Sequence, residues 1–265
     1  MNNMTLIAEE DIAQGGYDPV LDMYVELMAN CLTDMIYGGE RPIIRRGQKV
    51  KFDAGKRAAG RDWPVVGHSM AGLKRLANCA YLTDRVLMDN IPGDIIETGV
   101  WKGGASAMMR GVLKARGITD RKVYLADSFE GLPPPNEEEF PADSGSRFHT
   151  RGRLRVGTDM VRKTFEAYNL MDDQVEFIVG WFKDTLHKLE VEQFALVRLD
   201  GDMYESTIQA IEALYPKLST GGFLIVDDYG GIEACRTAIH DYRDEHGITD
   251  PIHKIDHTGV WWRKS

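Results

Sequence analysis

The sequence predicts an α/β protein built on a parallel sheet with helices on both faces. Two observations carry that reading. From Gly93 onward, short apolar runs alternate with stretches of helical period, and repeated strand–helix units of this size wind into a parallel sheet. Two of the runs, Phe194 to Leu199 and Gly222 to Val226, are largely apolar, and each ends in paired carboxylates. Carboxylates delivered by buried strands to one sheet edge repel each other unless something positive lies between them, and a hard divalent cation with oxygen ligands is the simplest candidate.

The elements follow in order. Tyr17 to Tyr37 is apolar at helical spacing (Val20, Leu21, Tyr24, Val25, Leu27, Met28, Cys31, Leu32) and stops at Gly38-Gly39, which predicts an amphipathic helix. Arg41 to Asp62 holds eight Lys and Arg with few apolar residues. It reads as a mobile basic lid or, equally, as a solvated connection. A second helix is expected from about Val66 to Asn90. Strands are expected at Asp94 to Glu97, Lys122 to Asp127 and Val175 to Val179, before the two that end in acids. Helices are expected at 104–116, 159–168, 204–218 and 232–246, with a terminal strand or hairpin in 252–263. Leu132 to Thr158, rich in Pro, Glu, Asp and Arg, is a long insertion without clear period. Residues 1–90 are expected to form N-terminal helices and the basic loop, and 91–265 the core, in one functional domain.

Composition excludes several classes. The chain has 265 residues, 43% hydrophobic and 28% charged, an ordinary mix for one large domain. A net charge of −9 argues against non-specific nucleic-acid binding. No apolar run is long enough to span a bilayer, and Met1 to Gln14 is polar, unlike a secretory signal. Cys31, Cys79 and Cys235 are far apart and form no Cys-x-x-Cys pair, so they read as reduced thiols of a cytoplasmic protein. The apolar surface of the first helix suggests a homo-oligomer.

In doubly wound sheets, ligands bind beyond the carboxyl ends of the strands. The first strand runs into Glu97-Thr98-Gly99-Val100-Trp101-Lys102-Gly103-Gly104, which is neither a dinucleotide fingerprint nor a phosphate loop. Glu97 would repel a pyrophosphate but pair with an α-amino group, and Gly99 would let a ligand approach the backbone. The alternative is a tight turn with an exposed Glu. The second strand ends in Asp127-Ser128-Phe129. Asp127 suits ribose hydroxyls, and Phe129 a flat base. Trp181 after the third strand could stack near an adenine. These aromatics can equally be core, which is the better reading for Phe182. Together the acids and the aromatic wall describe S-adenosylmethionine better than a nicotinamide dinucleotide. Asp200 and Asp202, two apart, point the same way. Asp227 and Asp228 end the neighbouring strand, so three or four carboxylates converge, or Asp227-Asp228 is a plain polar turn.

These residues carry a family resemblance. Glu97-Thr98-Gly99-Val100-Trp101-x-Gly103-Gly104, Ala126-Asp127-Ser128-Phe129, Gly180-Trp181-Phe182-Lys183-Asp184-Thr185, Asp200-Gly201-Asp202 and Asp227-Asp228-Tyr229 together resemble the macrocin O-methyltransferase family. His68-Ser69-Met70-x-Gly72-x-x-Arg75-Leu76 is similar to the family's segment before the first strand, and the likeness covers roughly Tyr17 to Lys264. It implies a class I methyltransferase (Rossmann-like) sheet of seven strands, the last antiparallel, with S-adenosylmethionine and magnesium as cofactors. By motif position, it implies Asp200, Asp227 and Asp228 as metal ligands and Asp202 as general base. Glu97, Thr98, Gly99, Val100, Trp101, Asp127, Ser128, Phe129, Trp181, Ser69 and Met70 would line the donor site. The expected reaction is O-methylation of a sugar hydroxyl on a glycosylated small molecule of macrolide, aminocoumarin or glycolipid type. A catechol or phenol acceptor, or a metal-dependent hydrolase, are the alternatives.

Overall fold

The computed structural model describes residues 18–38, 43–45 and 48–265, with side chains from 18–38 and 51–265. The polar segment 1–14, Tyr17, Gly39, Arg41 and Arg46 lie outside the described residues. Helix α1 spans Pro19–Leu32. Asp18 caps it, its carboxylate accepting the N–H groups of Val20 and Leu21 at 3.0 and 3.1 Å. The helix ends earlier than its apolar spacing predicts, because Asp34 adopts a left-handed φ of 59°. Val25, Met28 and Leu32 point into the core, while Val20, Met23 and Leu27 are exposed. The basic stretch is not a plain loop. Strands β1 (Ile43–Arg45) and β2 (Gln48–Val50) pair antiparallel, and α2 covers Ala54–Ala58. Arg57 turns inward, donating to Asp62 at 2.9 Å and to the Thr33 carbonyl at 2.7 Å.

Helix α3 spans Leu73–Met88, not 66–90. Gly72, at φ 81°, breaks the run. Residues before it cross the start of the next helix so closely that a Cβ on Gly104 would meet the His68 carbonyl. The alternating units follow: β3 (Asp94–Thr98), α4 (Gly104–Ala115), β4 (Val123–Asp127), α5 (Thr158–Ala167), β5 (Val175–Val179) and the short α6 (Phe182–Thr185). Then come β6 (Phe194–Leu199), α7 (Tyr204–Leu214), β7 (Leu218–Val226), α8 (Glu233–Glu245), β8 (His253–Lys254) and β9 (Val260–Arg263). Helix α7 stops short of Leu218 in a 3-10 turn, Tyr215–Lys217, since Pro216 cannot continue an α-helix. The strand after it is correspondingly longer than its apolar run suggests.

The seven-stranded sheet has the order β5-β4-β3-β6-β7-β9-β8, and β9 runs antiparallel to both its neighbours. Two apolar layers cover it, one beneath α1, α3, α4 and α5, the other beneath α7 and α8. The N-terminal helices share the first layer with the sheet. β3 and β6 run parallel, but the order in which strands are added to the sheet reverses between them, and ligands bind at such a reversal. Register brings the strand ends level there. Thr98 pairs with Ala126 and Leu199, and Leu199 with Val226. The residues that follow, Gly99, Asp127, Asp200 and Asp227, therefore emerge side by side.

Candidate active site

One carboxylate oxygen from each of Asp200, Asp227 and Asp228 lies within 4.8 Å of the other two. Asp202 stands three residues beyond β6 at φ 58°, a setting that costs a non-glycine residue about 1 kcal/mol or more and persists only where its surroundings impose it. Its N–H donates to Asp228 Oδ2 at 3.3 Å. Burial, then Asp200 and Asp227, pushes the Asp202 carboxyl up to about 8. Burial, then Asp202, holds Asp228 well above the carboxylate range. Burial and Asp227 also raise Asp200. Asp227 is the exception: burial pushes it upward, but Arg198 and Arg75 prevail and its carboxyl sits below the usual value. Ionised together, the four carboxylates would carry more negative charge than Arg75 and Arg198 offset, and the raised carboxyls reflect that repulsion. Converging oxygens with surplus charge fit a hard cation such as magnesium.

Two arginines organise this floor, and neither stood among the sequence candidates. Arg198 is the penultimate residue of β6, with its side chain 1% exposed. Its Nη1 donates to Glu97 Oε1 and, at 2.8 Å, to Asp200 Oδ2, while Nη2 donates to Asp227. Arg75, on α3, donates to Asp227 through Nη1 and to Asp256 through Nε at 3.1 Å.

A cavity of about 670 Å³ opens above the strand ends, a size suited to a nucleoside-bearing ligand. The four aspartates line it, with Ser69, Met70, Glu97, Gly99, Val100, Trp101, Asp127, Ser128 and Trp181. Thr98 and Phe129, predicted to join them, do not. Thr98 faces the opposite side of β3, its hydroxyl donating to the Arg198 carbonyl at 3.4 Å. Phe129, at φ 57°, turns its ring onto Phe177 instead, 5.7 Å between centroids. Glu97 is not the free amine partner the sequence suggested. Its Oε1 accepts Arg198 and its Oε2 accepts both the N–H and hydroxyl of Ser106. Burial first, partly offset by Arg198, raises its carboxyl to about 7. Gly99 is required by the protein rather than by a ligand: a Cβ there would overlap the Asp200 carbonyl. Asp127 accepts the N–H groups of Val100 and Phe129, both at 2.7 Å. The Ser128 hydroxyl also donates to Asp127 Oδ1, at 3.5 Å, but a carboxylate has about four lone-pair sites, so Asp127 still fits a ribose hydroxyl. The donor end of the cavity is therefore compatible with S-adenosylmethionine, with Asp127 and Trp181 as its clearest features.

The 132–158 insertion forms the roof. It carries three 3-10 turns, Pro141–Asp143, Phe148–Thr150 and Gly152–Leu154. Asp143, 2% exposed, accepts the N–H groups of Tyr204 and Glu205 at 2.7 and 2.9 Å, capping α7. Further along, the Arg153 guanidinium lies 3.8 Å from the Trp63 ring centroid. The Trp101 indole N–H donates to the Arg153 carbonyl at 2.9 Å.

Comparison with known proteins gives the family. A curated relative from Streptomyces olivaceus, 8-demethyl-8-(2,3-dimethoxy-alpha-L-rhamnosyl)-tetracenomycin-C 4'-O-methyltransferase, is 52% identical over 91% of this chain and 92% of its own. Mycinamicin III 3''-O-methyltransferase of Micromonospora griseorubida is 42% identical over 92% of this chain and 97% of its own. The solved structure of the O-methyltransferase NovP superposes with a TM-score of 0.87 at 41% identity, covering 92% of this chain and 99% of that one. The model of the Macrocin-O-methyltransferase (TylF) family matches residues 22–264. The chain belongs to that family and is a class I, S-adenosylmethionine-dependent O-methyltransferase.

Proposed function

We propose that this enzyme methylates a hydroxyl of a sugar on a glycosylated natural product, and that magnesium assists. Relatives named for a rhamnosyl tetracenomycin and for mycinamicin III support the acceptor class. The convergence of Asp200, Asp227 and Asp228 within 4.8 Å carries the metal assignment. Those three would hold the cation, and Asp127, Ser128, Trp101, Trp181, Ser69 and Met70 the donor. When bound, the donor supplies an electrophilic methyl carbon on a sulfonium, and the cation supplies a Lewis acid. The residues of the chain do the rest. The roof and the 68–70 segment exclude water, and the strand ends hold the reactants in line, an alignment worth roughly 7–11 kcal/mol in good intramolecular models. Asp202, on its strained backbone beside the metal ligands, takes the proton from the attacking hydroxyl. The hydrolase alternative falls with membership in a methyltransferase family.

The test is direct. The enzyme is given S-adenosylmethionine with p-nitrophenyl α-L-rhamnoside or catechol, and products are read by mass spectrometry. Methylated rhamnoside is expected, lost with EDTA and restored by added magnesium. Methylation of catechol alone would overturn the sugar assignment, and full activity in EDTA would overturn the metal.

We also place the enzyme in the cytoplasm as a homo-oligomer. Among the described residues no helix is long and apolar enough to cross a membrane. The three cysteines are free, and α1 exposes Val20, Met23 and Leu27. Sedimentation should give a mass above that of one chain, and a Met23→Glu, Leu27→Glu double substitution should lower it. A monomer at micromolar concentration would remove the oligomer.

A further inference from the structure

Helix α7 starts two residues after Asp200-Gly201-Asp202 and presents Glu205, Ser206 and Gln209 to the cavity. Glu205 is 8% exposed. A carboxylate so buried is normally paired, yet among the described residues no Lys or Arg forms an ion pair with it. Among those residues its side-chain partner is Gln209, whose Nε2 donates to Oε1 at 3.0 Å. Its place is fixed by Asp143, which accepts its N–H at 2.9 Å. From the roof, Phe148 and Arg151 line the same cavity, the guanidinium 4.5 Å from the ring centroid.

We propose that Glu205 and Gln209 read the hydroxyls of the acceptor's sugar ring, with Phe148 and Arg151 covering the ring's other side. The inference rests on the sugar reading above and deepens it. A carboxylate accepts two hydroxyl protons, and an amide one turn away both donates and accepts. Neighbouring hydroxyls of a pyranose need that arrangement, while its C–H face suits a flat aromatic side chain. A planar catechol would offer its hydroxyls to the four aspartates and leave Glu205 buried without a substrate partner. A site built to bond a hydroxyl discriminates strongly against an acceptor lacking it.

The experiment uses the full chain, with p-nitrophenyl α-L-rhamnoside and its 2-, 3- and 4-deoxy analogues as acceptors. Glu205→Gln should raise the rhamnoside KM about tenfold or more, as expected for losing a hydrogen bond to a charged group, with calorimetric affinity for S-adenosylhomocysteine unchanged. Among the analogues that keep the methylated hydroxyl, one should be a poor acceptor for the unaltered enzyme and no worse for Glu205→Gln than the parent sugar. A purely structural Glu205 would not produce that selective loss. Gln209→Leu should show the same pattern more weakly, and it serves if Glu205→Gln fails to fold. If the rhamnoside is methylated but both variants keep its KM within about twofold, or all deoxy analogues suffer alike, this assignment is overturned while the sugar reading stands. If the unaltered enzyme methylates no rhamnoside, both are overturned.

Discussion

Asp202→Asn lowers turnover by about a hundredfold or more, the usual span for removing a positioned general base, and leaves donor affinity unchanged. The structural reasons are specific. Asp202 reaches the cavity from a left-handed turn after β6, and its N–H is tied to Asp228. Asparagine tolerates that backbone setting better than most residues, so the change removes basicity and little else. Steady-state kinetics with the rhamnoside, together with calorimetry using S-adenosylhomocysteine, separate the two quantities. A fully active variant would remove the base assignment. A variant that also fails to bind the donor would show that Asp202 shapes the cavity rather than accepting a proton.

Arg198→Met is expected to destabilise the fold by about 3–5 kcal/mol, the cost of breaking a buried ion pair by deleting one partner. Glu97, Asp200 and Asp227 all lose the same guanidinium at once. Glu97 and Asp227 are buried, so water cannot replace it. Methionine fills much of the volume, which leaves electrostatics as the main loss. Thermal melting should fall by roughly 10 °C. Arg198→Lys keeps the charge but cannot span three carboxylates with a fork, so it should lie between. An unchanged melting temperature in Arg198→Met would mean the three acids are neutral or solvated, against the geometry.

Much of the fold was legible because strands buried on both faces are written as short apolar runs, and β3 to β7 all follow such runs. The metal-site candidates were legible for the same reason: Asp200, Asp227 and Asp228 stand where apolar strands stop. Other features depend on contacts between distant residues. Arg75 meets Asp227 across 152 positions of chain, and nothing near Arg75 announces it. Arg198 did leave a signal, since an arginine inside Phe-Ala-Leu-Val-Arg-Leu cannot stay buried without acidic partners. Thr98 was drawn in by its neighbours in the motif, although strand alternation already turned it away from the side that Glu97 faces. Phe129 was lost to a single positive φ, which sequence does not specify. The inward turn of Arg57 was hidden among other basic residues.

Asp143 has a consequence for engineering. The 132–158 roof, which lines the cavity, is fastened by this one acid to the first turn of the helix that follows Asp202. Transplanting 132–158 from a related enzyme to change acceptor preference would move that fastening as well. A graft lacking an acid at this point would leave two amide protons at the start of α7 without their present acceptor, and the loosened turn would disturb Asp202, the proposed base. Successful chimeras should therefore be those whose donor loop brings its own anchor.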